Sequence, residues 1–338
     1  EHDAIEVAFC GHVMQGSTAG QKVLERVGRT GIPIMNVENA CASGTTAFRS
    51  AWSAVASGMN DVALAVGFEK MARGAIRMSQ LDQNQGPDEG TRPPLMPFLF
   101  AQVFDEHSKR YGTTREQMAL VSVKNRENAA LNPRAQYREP VTVEEVLNSR
   151  QIIGPLNLLM CCPTGAGAAA AIVCSEDTAR TAGSKPIRVV ASAFQSERLA
   201  DPNEPLSGIT EINQRTANLA YDMAGVTPDD IDLIELHDCF AIAEIIHYEN
   251  LGLCERGEGG KFIEEGIPKL GGKVAVSTSG GLLSKGHPLG ATGVAQVFEI
   301  ATQLRGQAEK RQVQGAEIGL THCQGFGGAT GVHIFAAE

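Results

Sequence analysis

No stretch of the chain approaches the ~18 consecutive apolar residues of a membrane-spanning helix, which argues against a span. Lysine and arginine (29) are outnumbered by aspartate and glutamate (39), and the net charge is −10. The cations form no cluster or stripe, so the electrostatic footprint of nucleic-acid binding is missing. No G-x-G-x-x-G runs from a strand into a helix; "GEGGKF" and "KLGGK" read as turns and not as phosphate loops. The eight cysteines have neither the density of a disulfide scaffold nor a C-x-x-C pair with a zinc-type partner. Free thiols in a reducing compartment follow, and no metal or tightly held cofactor is expected. The chain opens EHDAIEV with no signal-peptide pattern, and its closing FAAE carries no peroxisomal address, so a cytoplasmic location is expected.

What is abundant is small residues. Thirty-seven glycines among 338 residues, with aromatics at 5%, suit an α/β protein in which helices lie close on sheets. The chain also repeats itself. Aligning Cys41 with His287 places Gly44 on Gly290 and Thr46 on Thr292 without a gap. Apolar residues then recur at helical spacing in both segments (48, 51/52, 55 and 294, 297/298, 301). Each pattern stops at a glycine, Gly58 or Gly306. A short apolar strand follows each, at 61–67 and 316–323.

In the second half the repeat begins earlier, with a strand at 185–194, a helix around 211–225 and a strand at 230–240. The first half starts at the counterpart of that second strand, residues 3–12. By this spacing, a strand and helix of about 45 residues are expected ahead of residue 1. Residues 69–159 differ in character and read as an inserted lobe. Thr113 or Thr114 followed by Glu116 marks a helix start there. The expected domains are thus 1–68 continuing at 160–184, the lobe 69–159, and 185–338. Strands alternating with helices predict two mainly parallel sheets related by a pseudo-twofold.

In each half, the segment before the repeated helix ends at the carboxyl edge of a sheet, where open α/β folds bind ligands. Cys41 falls at a helix start, whose partial positive charge favours a thiolate. His287 holds the matching place. A pseudo-twofold brings the two helix starts together and makes a Cys–His pair, the usual arrangement of a nucleophilic thiol with its base. Cys174 is expected in the core, Cys161 and Cys162 in strand packing, and His247 and His322 as core-satisfied or solvated.

"NACASGTTAF", "ELHDCF", "SKGHPLGATG" and "CQGFGG" resemble, in order and spacing, the four catalytic loops of the thiolase superfamily. The similarity is greatest to thiolases of the sterol-carrier-protein type, which share HDCF, "GFEKMARG" and "GGLLSKGHPLGATG", and to acetyl-CoA acetyltransferases. The resemblance covers essentially the whole chain. It implies a layered αβαβα fold of two βαβαβαββ halves with an inserted lobe. It further implies transfer of an acyl group from a 3-ketoacyl-CoA to coenzyme A, or the reverse Claisen condensation.

By the same resemblance, Cys41 is the nucleophile, and His287 activates it and hydrogen-bonds a thioester oxygen. His237 stands where ordinary thiolases hold an oxyanion-hole water. The N–H groups of Cys41 and Gly325 resemble a second oxyanion hole. Cys323, from the Cys-x-Gly loop, and Cys239, from HDCF, compete for the acid/base role, and the choice stays open. Acyl-CoA and coenzyme A are the implied substrates, and a homodimer is the minimum assembly. Three other readings stay open: a decarboxylating ketosynthase, a steroid side-chain retro-aldolase with an OB-fold partner protein, and an inactive acyl-CoA-binding homologue.

Overall fold

The computed structural model describes residues 2–28, 31–72, 95–183, 185–198 and 206–337. Its first half contains β1 (Val7–Gly11), α1 (Ala19–Leu24), β2 (Ile34–Val37), α2 (Ser43–Ala56) and β3 (Val62–Lys70). A lobe follows, with α3 (Leu95–Tyr111), α4 (Arg115–Ala130), α5 (Val143–Asn148) and the short hairpin β4 (Gln151–Ile153) and β5 (Leu156–Asn157). β6 (Ala166–Cys174) and α6 (Glu176–Thr181) return to the first half.

The second half runs through β7 (Ile187–Ser196), α7 (Ser207–Ala224), β8 (Leu233–Glu235), α8 (Ala241–Asn250) and α9 (Gly259–Glu264). It ends with β9 (Ala275–Val276), α10 (Gly281–Ser284), α11 (Leu289–Leu304), β10 (Ile318–Gly325) and β11 (Ala329–Ala337).

The duplication is visible in the strand order. The first sheet reads β2-β1-β3-β6 and the second, from its other end, β9-β8-β10-β11-β7. In both, the first three strands run parallel and the fourth antiparallel. β7 pairs antiparallel with β11, and it has no counterpart among the described residues of the first half. α2 and α11 each touch strands of both sheets and form the central layer. α1 covers the first sheet, and α7 covers β7 and β11 of the second, completing five layers.

The sequence explains why the central helices can pack so tightly. A Cβ on Gly44 would lie 2.6 Å from the Gly290 carbonyl oxygen, and one on Gly293 only 2.2 Å from the Thr45 nitrogen. The helix backbones therefore meet without side chains between them. Phe48, Ala51, Val297 and Ile300 fill the seam beyond. Gly58 (φ 71°) and Gly306 (φ 72°) take the left-handed conformation just past the two helices, which ends them.

Three local expectations are corrected. β8 stops at Glu235, so the predicted strand 230–240 turns away before His237. α4 is capped by Thr114 in a reciprocal box with Gln117, while Glu116 merely adds negative charge to the first turn. Cys174 is only partly buried on β6, since that strand alternates exposed and partly covered residues along the sheet margin.

Candidate active site

β2 leads into α2 through a tight elbow, residues 38–42. Ala40 sits at φ 48°, a costly conformation for a residue with a Cβ. The elbow is braced by Ser43, whose Oγ accepts from the Asn39 N–H at 2.9 Å and donates to the Ala40 carbonyl at 2.7 Å. Asn39 Nδ2 also donates to Thr46 Oγ1 at 3.0 Å. The bend presents Cys41 at the mouth of α2. From the other half, the end of β10 presses against it: a Cβ on Gly325 would lie 2.1 Å from the Asn39 carbonyl oxygen. The backbone N–H groups of Phe326, one residue further, and of Cys41 itself favour the ionised Cys41 sulfur.

Cys41 Sγ and a ring nitrogen from each of His237 and His287 all lie within 4.8 Å of one another. The two imidazoles meet edge to face, with centroids 5.0 Å apart and planes at 83°. Residues 246 positions apart thus share one pocket, as the duplication predicts. His287 Nδ1 lies 2.7 Å from Thr292 Oγ1, and that hydroxyl donates to the Pro288 carbonyl at 3.0 Å. With its proton committed, the hydroxyl accepts from Nδ1–H. The Nε2 lone pair of His287 is left buried and without a partner among the described residues.

Cys323 lies beneath this pair. Its thiol donates to the Cys41 carbonyl at 3.2 Å and sits 3.5 Å from His237 Nδ1. Cys239, together with Cys41, His237, His287 and Gly325, lines a pocket of about 1200 Å³. Cys161 and Cys162 line it too, which corrects their assignment to strand packing. The Cys162 N–H donates to the Cys239 carbonyl at 3.0 Å and ties that segment to the HDCF loop. The remaining wall is largely apolar, with Met96, Phe100, Leu158 and Phe240 among its residues, while Arg126, Tyr137 and Arg150 of the lobe bring polar groups.

The electrostatics differ from the expected thiolate. Burial pushes the Cys41 thiol up to about 12, and the Glu38 and Glu69 carboxylates add to the rise. The two N–H donors work against it. A helix start contributes only about 0.3–1 kcal/mol, less than the ~1.4 kcal/mol of one pKa step, so burial wins. Burial lowers His237 to about 3. His287 also falls well below the usual histidine value, through burial and the neighbouring His237 and Lys285. The shifts at Cys41 and His287 favour a neutral thiol and a neutral imidazole. His247 and His322 are fully buried with rings 4.4 Å apart; His322 donates from Nε2 to Asn213 Oδ1 at 2.8 Å. His247 Nε2 has no hydrogen-bond partner among the described residues.

Asp238 was given no role by the sequence, yet it joins the two histidine loops. Its carboxylate accepts from the N–H groups of Leu282 (2.8 Å) and Leu283 (3.2 Å) at the start of α10, which leads into His287. Gly281 makes this possible: its φ is 60°, and a Cβ would lie 2.1 Å from Asp238 Oδ2. Asn125 of α4 donates to the same carboxylate at 2.8 Å and to Glu244 at 2.8 Å. Lys124, only 1% exposed, pairs with Glu244 at 2.8 Å. Asn128 on α4 and Asn132 just past its end donate to the carbonyls of Ser277 (3.0 Å) and Ser279 (2.8 Å). One end of the lobe is therefore stitched to both histidine-bearing segments.

Glu69 was also missed. It is 3% exposed and accepts from the N–H groups of Val13 (2.9 Å), Met14 (3.1 Å) and Gly290 (3.2 Å), which anchors the first turn of α11 to the first half.

Known proteins resemble this chain in sequence and fold. Residues 1–177 match the family described as thiolase, N-terminal domain, and residues 195–336 match thiolase C-terminal domain-like. An acetyl-CoA acetyltransferase of Methanothermobacter thermautotrophicus is 48% identical over 322 residues, covering 93% of this chain and 82% of that protein. Sterol carrier protein 2 of Bos taurus is 41% identical over 352 residues; the match covers 99% of this chain but 64% of that longer protein. Among solved structures, an Ltp2–ChsH2(DUF35) aldolase superposes with a TM-score of 0.85 at 25% identity, covering 100% of this chain and 88% of that one. Human mitochondrial 3-ketoacyl-CoA thiolase superposes at 0.74 with 19% identity and the same coverage, a likeness of fold. The chain belongs to the thiolase family of acyl-transferring enzymes.

Proposed function

We propose that the chain is an acyl-CoA:CoA C-acyltransferase that works through a thioester on Cys41. The observation that carries this reading is the cluster of Cys41 Sγ with the ring nitrogens of His237 and His287, all within 4.8 Å of one another. In thiolysis, the Cys41 proton passes to His287 Nε2 and the thiolate attacks the 3-keto carbon of a 3-ketoacyl-CoA. The C2–C3 bond breaks and its electron pair becomes the enolate of acetyl-CoA. A thiol protonates C2 and acetyl-CoA leaves; free CoA then gives its proton to that thiolate, its sulfur takes the acyl group, and the departing Cys41 thiolate recovers its proton from His287. Oxyanions are held by His237 and by N–H groups at Cys41 and in the turn at Gly325 and Phe326. Such donors are typically worth about 3–4 kcal/mol each in barrier height.

For the acid/base, Cys239 is preferred because it shares the pocket wall, whereas Cys323 hydrogen-bonds behind it to Cys41 and His237. The apolar wall suits a lipid-like acyl chain. Arg126, its guanidinium 4.8 Å above the Tyr137 ring, and Arg150 suit the phosphates of CoA.

The aldolase neighbour favours a second reading, a retro-aldol lyase with a partner protein. Against it stands Cys41, which a retro-aldol cleavage does not need. One assay separates them. CoA-dependent conversion of a 3-ketoacyl-CoA into acetyl-CoA and a shortened acyl-CoA supports the proposal. Cleavage of a 3-hydroxyacyl-CoA without CoA, in place of that activity, supports the lyase.

A further inference from the structure

We propose that Cys41, His237 and His287 also form a zinc-binding site, through which a soft divalent cation reversibly silences the enzyme. The chemistry is that of the donors. One thiolate and two imidazoles are a zinc ligand set, and three protein ligands with an open fourth position are an ordinary zinc arrangement. The separations are within reach. Bond lengths of about 2.0–2.3 Å in a tetrahedron put donors about 3.4–3.6 Å apart. The three atoms here lie within 4.8 Å of one another, so small side-chain rotations close the difference.

The hydrogen bonds around the donors favour ligation independently of that distance. A metal-binding histidine donates its other N–H to a supporting acceptor, which fixes the ring and its tautomer. His287 does so through Nδ1 to Thr292, which leaves Nε2, buried and unpartnered among the described residues, as its ligand atom. His237 turns Nδ1 to the Cys323 sulfur, whose own proton is directed at the Cys41 carbonyl; Nε2 is then free for a metal. Zinc binding releases the Cys41 proton to solvent and leaves a sulfur–metal bond where the acyl group would attach. The fourth position faces the pocket and takes water. The inference shares its residues with the proposed acyltransferase site but does not depend on turnover.

The test is a Co²⁺ titration of the full-length chain without CoA, whose thiol would compete for metal. The expected result is one Co²⁺ per chain, a thiolate-to-cobalt charge-transfer band and the intense visible bands of a tetrahedral site. Zn²⁺ should abolish these bands, and Cys41→Ser should remove the charge-transfer band. Absence of the bands, or their persistence in Cys41→Ser, overturns the proposal.

A second measurement needs no variant. Zn²⁺ at about ten times its Kd should slow iodoacetamide labelling of the Cys41 peptide about tenfold, with recovery on chelation. An unchanged labelling rate also overturns it. If the cobalt bands appear while no acyl-CoA ever labels Cys41, the acyltransferase reading fails and the metal site stands.

Discussion

Thr292 fixes the tautomer of His287: its hydroxyl gives its proton to the Pro288 carbonyl and so accepts the proton on Nδ1, at 2.7 Å. The base nitrogen facing Cys41 is thereby a lone pair without any help from charge. Thr292→Val keeps the shape and removes the acceptor. A hydrogen bond of this kind contributes about 0.5–1.5 kcal/mol, so kcat for Cys41 acylation should fall about two- to tenfold with KM nearly unchanged. Thr292→Ser should restore most of the rate. Stopped-flow acylation kinetics of the three proteins check this.

The acid limb of the pH profile carries a second prediction. His287 must be neutral to act as base, and burial, with His237 and Lys285 nearby, lowers its pKa well below 6.5. A lowered pKa keeps the base form as pH falls, so the acid limb of kcat/KM should lie below the ordinary histidine value. A limb at or above it would show that the imidazole is not desolvated in the free enzyme.

The same burial has a cost in stability. Folded-state values are depressed at His237, His322 and His333, each to about 3. Below the unfolded value of about 6.5 the unfolded chain binds more protons, so stability is lost as pH falls towards the folded values. Each group steepens that loss by up to about 1.4 kcal/mol per pH unit. Denaturant unfolding between neutral and mildly acidic pH should show a marked decline, shallower in His333→Asn.

Cys239 and Cys323 are separable by substitution. With Cys239 as acid/base, Cys239→Ala should cost about 10²–10⁴ in thiolysis, the usual range for losing a general acid, while Cys41 can still be acylated by acetyl-CoA. Cys323→Ala should cost about tenfold or less, the scale of one lost hydrogen bond. The reverse order would assign the role to Cys323.

Asp238 should act as a positioning residue. Asp238→Ala strands the N–H groups of Leu282 and Leu283, a loss of about 1–3 kcal/mol for a buried unpartnered donor. Melting should fall, and kcat should fall further than the unfolded fraction explains, with KM for acyl-CoA retained. Equal activity per folded molecule would leave Asp238 a purely structural role.

How much of this was legible in the sequence follows from distance along the chain. Cys41 and His287 were legible because duplication writes the same small-residue helix start twice, and the glycine stops at Gly58 and Gly306 mark both helix ends. The turn at His237 was not. Apolar content runs on through Phe240, but the backbone leaves the strand because Asp238 is drawn to α10 and the Cys239 carbonyl to Cys162. The links from Asn125 to Asp238 and from Glu69 to Gly290 span the lobe and the two halves, and no local pattern encodes them. The Cys41 thiol showed a helix start that favours ionisation; the burial that outweighs it exists only in the folded protein.

The central claim is that Cys41 takes an acyl group. Intact-mass measurement after exposure to an acyl-CoA tests it directly. The account predicts one acyl group per chain, lost in Cys41→Ala and released by free CoA. No adduct on the folded protein, or an adduct that persists in Cys41→Ala, would contradict it.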